Sequence, residues 1–185
     1  MTVLVVDLNW RKDSLAYTEF VSPILAAVKP LEPCAVRHYL ELQHSEIDGY
    51  SHIILSGTPL KDFEFLKRLD RFQWIKTSQK PILGICAGMQ TIAKVYGENL
   101  RACQQVGMTE IATTKENPLF SGTFQAYSLH SYTVLPSPTF DVIAESKECI
   151  QAIKHKQKPL YGVLFHPEVR NPDILKRFVE SSLGI

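Results

Sequence analysis

With 185 residues, 45% hydrophobic and 21% charged, the chain can bury one sizeable core. It has neither the low apolar content of a disordered segment nor the apolar excess of a membrane protein. Lys and Arg number 20 against 19 Asp and Glu, a formal net charge of +1, so no general field draws nucleic acid or anionic lipid to the surface and a small neutral or zwitterionic ligand fits better.

No apolar run approaches the roughly 18 residues that cross a bilayer, and the N-terminus has no basic, cleavable leader. A cytoplasmic protein with one domain over residues 1–185 is expected. The four cysteines, Cys34, Cys86, Cys103 and Cys149, lack paired metal-ligand spacing and are too sparse for a disulfide scaffold, so reduced thiols, each to be explained separately, and no metal are expected. No P-loop or dinucleotide fingerprint is present, and no cofactor is expected.

In chain order, Thr2 to Leu8 is a Val-rich run ending near an acid, which suits a strand covered on both faces. Tyr17, Val21, Ile24, Leu25 and Val28 recur on one helical face. Pro23 either kinks that helix or stands at the first position of a new one capped by Ser22. Strands are predicted near Ala35 to Leu40 and His52 to Ser56, then a helix through Phe65, Leu66, Leu69, Phe72 and Ile75. Ile82 to Cys86 is a fourth strand, and Ala87 to Tyr96 a helix stopped by Gly97. This alternation predicts an α/β fold, a mainly parallel sheet flanked by helices.

From about Leu100 to Phe165 the texture changes to short β-like runs, Thr109 to Thr113, Phe124 to Ser128, Thr133 to Leu135, Val142 to Ala144, Gln151 to Ile153 and Leu160 to Phe165. They are separated by turn residues and read as antiparallel hairpins added to the sheet. The basic cluster Lys154 to Lys158 falls between two such runs and reads as a solvated hairpin tip. Asn171-Pro172-Asp173 and the apolar face Ile174, Leu175, Phe178 and Val179 predict a final helix.

Pro81 to Gln90 carries the sharpest chemical signal. Gly84 and Gly88 flank Cys86 at −2 and +2, as a strand-to-helix elbow requires if it is to hold a nucleophile out into a cleft. A thiol at a helix N-terminus is favoured as thiolate, and the Ala87 N–H is free to bind an oxyanion. Taken alone, Cys86 reads as a buried structural cysteine; set between Gly84 and Gly88 where a strand meets a helix, it reads as a nucleophile. A thiol nucleophile needs a base and the base an orienting group. His166-Pro167-Glu168, after the Leu160 to Phe165 run, offers both, because residues two apart in an extended chain point to the same side.

With these motifs the chain resembles the class I glutamine amidotransferases. The resemblance rests on the Cys86 elbow ending in Gln90, on His166-Pro167-Glu168, and on the turn Ser56-Gly57-Thr58-Pro59, so landmarks span nearly the whole length. It implies a flavodoxin-like fold and hydrolysis of L-glutamine to glutamate and ammonia, with Cys86 as nucleophile, His166 as proton carrier and Glu168 orienting it. It further implies that the Thr58 and Ala87 N–H groups form the oxyanion hole. Gly57, Gln90 and a loop containing Ser131 and Tyr132 would bind the substrate, with His130 of that loop either functional or a satisfied structural histidine.

Cys86 to Gln90 is similar to the segment in free-standing glutaminase subunits of archaeal-type GMP synthetases, which implies a separate ammonia-accepting synthetase. The chain departs from that branch at Thr58, where Gly is usual, and at Arg170-Asn171, where His-Thr is common. A stand-alone γ-glutamyl hydrolase or peptidase, or a silent regulatory domain, are the alternatives. If position 58 takes positive φ, a β-branched Thr is strained and the hole is incomplete until a partner docks on the Ser56 to Leu60 turn. If it takes negative φ, the N–H is presented at all times.

Overall fold

The computed structural model describes residues 1–181. Residues 182–185, the end of the expected domain, lie outside the described residues. The elements in chain order are β1 (Val3–Asp7), α1 (Leu15–Phe20), α2 (Ser22–Val28), β2 (Cys34–His38), β3 (His52–Leu55), α3 (Trp74–Thr77), β4 (Ile82–Ile85), α4 (Ala87–Val95), β5 (Leu100–Thr113), β6 (Thr123–Val134), β7 (Phe140–Glu145), β8 (Ile150–His155), β9 (Leu160–Val163), α5 (Pro167–Arg170) and α6 (Pro172–Glu180). All nine strands join one sheet in the order β2-β1-β3-β4-β9-β8-β7-β5-β6. From β2 to β9 the pairing is parallel, and beyond β9 it is antiparallel. Among the described residues no helix is long and apolar enough to cross a membrane.

The two-residue period of a strand sorts the apolar run of β1 between two cores. Leu4 and Val6 join Ile53, Leu55, Met89 and Ile92 on the face covered by α4. Val3 and Val5 join Ile24, Val28, Leu175 and Phe178 on the face covered by α2 and α6. A strand buried on both sides needs no polar alternation, which is why these short runs are continuous in the sequence.

Several expectations need correction. The Tyr17 to Val28 face is split at Val21; α2 restarts with Pro23 in its first turn, but Val21 occupies the cap position and no side chain caps the helix. The helix predicted through Phe65 to Ile75 is two 3-10 segments within Glu64–Phe72, broken at Arg68 (φ −124°, ψ 41°), followed by short α3. The apolar spacing was right, since Phe65, Phe72 and Ile75 are buried, but spacing alone does not distinguish 3-10 from α geometry over so few turns. The short runs at Thr109 to Thr113, Phe124 to Ser128 and Thr133 to Leu135 are parts of two long strands, β5 and β6, paired over most of their length.

Cys103 and Cys149 are not separate thiols. A disulfide joins them, with Cα atoms 6.2 Å apart, and ties β5 to the turn before β8. Cys34 and Cys86 are free. The Lys154 to Lys158 cluster is the β8–β9 tip: the Lys154 ammonium lies over the Tyr161 ring and Lys158 reaches the Lys76 carbonyl.

Candidate active site

The site is built where β4 gives way to α4 at the C-terminal edge of the parallel strands. Cys86 makes the turn with φ 49° and ψ −100°, a conformation that costs an L residue about 1–3 kcal/mol and is held by its surroundings. The flanking glycines supply space. A Cβ on Gly84 would collide with the Gly88 backbone and lie 2.7 Å from Ile92 Cδ1, and one on Gly88 would lie 2.6 Å from the Leu55 carbonyl oxygen. Gly84→Ala is therefore expected to destabilise the fold by about 1–3 kcal/mol or more and to depress activity with it. Chemical denaturation of the variant checks this, and an unchanged midpoint would contradict the packing described.

β9 lies beside β4, with Ile85 opposite Val163, so the chain leaving β9 brings His166 to the elbow. His166 Nδ1 is 2.8 Å from Glu168 Oε1, and the His166 N–H donates to the Tyr127 carbonyl at 2.8 Å. Phe20 packs against the imidazole with ring centroids 5.7 Å apart. The ring is 1% exposed. Burial alone would push the imidazolium below its usual 6.5, but the Glu168 carboxylate and the Cys86 sulfur outweigh it and hold the group well above that value.

His166 Nε2 and Glu168 Oε2 are buried without hydrogen-bond partners, which marks the pair as poised to make a further contact. The Cys86 thiol donates to the Leu129 carbonyl at 3.5 Å. It couples to His166 electrostatically while resting on β6.

Gly57 packs against the base, since a Cβ there would lie 2.7 Å from His166 Cε1. Thr58 is not in the left-handed region: among the described residues only Asp13 and Cys86 are non-glycine residues with positive φ. The strain expected at Thr58 is thus absent. Its hydroxyl donates to the Asp62 carbonyl at 3.2 Å. Among the described residues the N–H groups of Thr58 and Ala87 are engaged by no acceptor.

The predicted substrate loop is not a loop. Leu129 to Tyr132 lie inside β6, opposite the irregularity between Ala102 and Gln105 in β5, where they cross the elbow. Gln90, 3% exposed, donates its amide to the Tyr132 carbonyl at 3.0 Å. Tyr132 meets Phe63 edge-on at 5.5 Å. His130 is a satisfied structural histidine: its Nδ1 pairs with the Cys103 carbonyl at 2.9 Å, and burial, the dominant cause, pushes its pKa down to about 4.

The structure thus pairs His166 with Glu168, packs Gly57 against His166, rests Cys86 on the Leu129 carbonyl and joins Gln90 to Tyr132, while Thr58, Ala87 and Ser131 stand beside Gly57, Cys86 and Tyr132 in the chain. Sequence reasoning missed Tyr127, Phe20 and Asp62, and it placed Leu129 in the substrate loop without its contact to the Cys86 thiol. Leu129, Tyr127 and Asp62 act through backbone carbonyls, which carry no residue signature. A cavity of about 630 Å³ over the ends of β1 and β2, lined by Asp7, Lys12, Arg37, His38 and Glu41, does not include Cys86 or His166.

Residues 16–181 match the family model of glutamine amidotransferase class I. The chain is 37% identical over 176 residues, 89% of its length and 86% of the relative's, to the glutamine-hydrolysing GMP synthase subunit of Methanococcus aeolicus. It is 38% identical, with the same coverage, to that of Methanocaldococcus jannaschii. The crystal structure of a candidate GMP synthase subunit from Thermoplasma acidophilum superposes with a TM-score of 0.85 at 25% identity, covering 97% of this chain and 92% of that one. The motifs, the fold and these likenesses agree, and the chain belongs to the class I glutamine amidotransferases, among which it is a glutaminase.

Proposed function

We propose that this chain, acting as a single domain, hydrolyses L-glutamine to glutamate and ammonia through Cys86, His166 and Glu168 and supplies the ammonia to a separate synthetase of the GMP-forming kind. The observation that carries the reading is the placement of His166. One ring nitrogen is tied to Glu168 at 2.8 Å, and the other is unpartnered on an imidazole that couples to Cys86. The relatives' shared name, that of a glutamine-hydrolysing part of GMP synthase, supports the choice of partner.

In this mechanism the Cys86 thiol gives its proton to His166, Sγ attacks the side-chain amide carbon of glutamine, and the carbonyl π pair moves to oxygen. The N–H groups of Ala87 and Thr58 stabilise that oxyanion, which asks for donors aligned before charge develops. His166 passes its proton to the nitrogen, the C–N bond breaks, and ammonia leaves a thioester. Water then loses a proton to His166 and attacks the thioester carbon. Collapse of the second tetrahedral species breaks the C–S bond and releases glutamate, with the proton returning to the site. Gly57, Gln90 and the backbone of Ser131 and Tyr132 hold the amino-acid end of the substrate.

The test is to measure glutamate and ammonia formed from glutamine by the isolated chain, then with a GMP-forming synthetase, with glutamine as the nitrogen source. Equal amounts of glutamate and ammonia, and amination only when both proteins are present, are expected. Faster cleavage of γ-glutamyl dipeptides than of glutamine would favour a stand-alone peptidase, and no hydrolysis under any condition would favour a silent domain.

A further inference from the structure

We propose that Asp62 is a positioning residue for this reaction, fastening the Ser56–Pro59 turn so that the Thr58 N–H keeps the direction an oxyanion donor requires; the inference rests on the glutaminase reading above. An N–H donor contributes to transition-state stabilisation only if its direction is set before the reaction. At the start of the turn that direction is held by the Ser56 hydroxyl together with the Ser56 N–H bond to the Val6 carbonyl at 3.0 Å. The Leu8 N–H donates to Ser56 Oγ at 3.1 Å, and the Ser56 hydroxyl donates to the Gly57 carbonyl at 3.0 Å. Thr58 is held by its side chain, through the 3.2 Å bond to the Asp62 carbonyl.

That acceptor is useful only if Asp62 is itself fixed, and three bonds fix it. Its N–H donates to the Pro59 carbonyl at 2.8 Å, closing the loop on itself. Its carboxylate takes the Trp10 N–H on Oδ2 at 2.7 Å and the Glu64 N–H on Oδ1 at 3.2 Å. The residue is 8% exposed, and hydrogen bonds to an ionised, largely buried acceptor are stronger than neutral ones. One carboxylate therefore ties the segment after β1, the start of the Glu64–Phe72 segment and the oxyanion turn into a unit. The adjacent Phe63 touches Tyr132 of the substrate segment, so the unit abuts both halves of the site. In this chain the hydroxyl of Thr58 makes a bond that a glycine at that position could not make.

The experiment compares Thr58→Val, Asp62→Asn, Asp62→Ala and the Thr58→Val/Asp62→Ala double variant in steady-state glutamine hydrolysis, with melting temperatures measured alongside. Val keeps the β-branched backbone preference of Thr and removes only the hydroxyl. Asp62→Ala is expected to lower kcat by about 10–100-fold, short of the 10²–10³ for outright loss of a donor, with KM within about twofold. Thr58→Val and Asp62→Asn should fall in between. Because both side chains serve one fastening, the double variant should be no slower than Asp62→Ala.

Should Asp62→Ala fail to fold, Thr58→Val and Asp62→Asn decide the matter. Wild-type kcat in these variants, a rise in KM with kcat unchanged, a fall in melting temperature with kcat unchanged, or multiplying effects in the double variant would each overturn the assignment. A wild-type chain that makes no glutamate either alone or with the synthetase overturns the glutaminase reading as well, whereas an active wild type with indifferent variants overturns only the role of Asp62.

Discussion

Cys86→Ala is expected to reduce glutamine hydrolysis by about 10⁴-fold or more, the scale seen when an enzyme loses its nucleophile, while leaving the fold intact. The strain at this position resides in the backbone, at φ 49°, and Ala inherits it unchanged. The side chain makes one weak backbone hydrogen bond, at 3.5 Å to the Leu129 carbonyl, and Ala keeps its Cβ in the buried cluster, so the melting temperature should move by no more than a few degrees. A glutamine analogue carrying an electrophile at the amide carbon should label Cys86 in the wild type. Cys34 is free but lies at the start of β2, and Cys103 and Cys149 are bonded to each other. Label recovered mainly from Cys34, or normal turnover in the Ala variant, would remove Cys86 from the mechanism.

The next largest effect is expected at the base. His166→Ala should come within about tenfold of Cys86→Ala, because nucleophile and base act as a unit, whereas Glu168→Gln should be about 10–100-fold less damaging. Gln alters the charge and orientation imposed on the ring without removing it.

Thermal stability supplies an independent readout. The folded-state pKa of His166 is held well above its ordinary 6.5, against burial, by the Glu168 carboxylate and the Cys86 sulfur. A group whose pKa is raised on folding binds its proton more tightly in the native state. Its contribution is fully present below 6.5 and is lost as pH rises through the raised native value. The wild-type melting temperature should therefore decline on that alkaline flank, and the decline should be smaller in Glu168→Gln. Identical pH profiles for the two proteins, or equal and negligible kinetic effects at both positions, would refute the pairing as a working unit.

The parts of the fold that were legible in the sequence are those governed by short-range rules. β1, β3 and β4 are runs of four or five residues buried on both faces, and such runs have few alternatives to a central parallel strand. The elbow was legible because it needs small residues at Gly84 and Gly88 for steric reasons that the structure makes explicit. His166 and Glu168 were legible because the requirement linking them is local.

Other features depend on partners distant in the chain. The ribbon of β5 and β6 is attached to the rest of the sheet where Ala112 and Thr113 of β5 pair with Glu145 and Ala144 of β7, yet it folds back so that Tyr127 meets His166 and Leu129 meets Cys86. No periodicity within the ribbon encodes that return. The Leu129 to Tyr132 segment consequently looked like a loop, although it is paired strand held across the site by the amide of Gln90. The Cys103–Cys149 bridge escaped notice for a related reason: its members are 46 residues apart, and bridging depends on a Cα separation that only the folded chain sets.

Thr58 shows the division most plainly. A β-branched residue where the resemblance implies glycine had two readings, strained or relaxed, and residue type alone offered no choice between them. By itself the sequence determined the family, the parallel core, the candidate nucleophile and its base, because each is specified by contacts or spacings within a few residues. The tertiary structure decided that Thr58 is relaxed and bonded to Asp62, that β6 covers the thiol, and that His130 is a buried neutral strut. In each of these cases the deciding energy is a hydrogen bond or a burial shared between segments that only folding brings together.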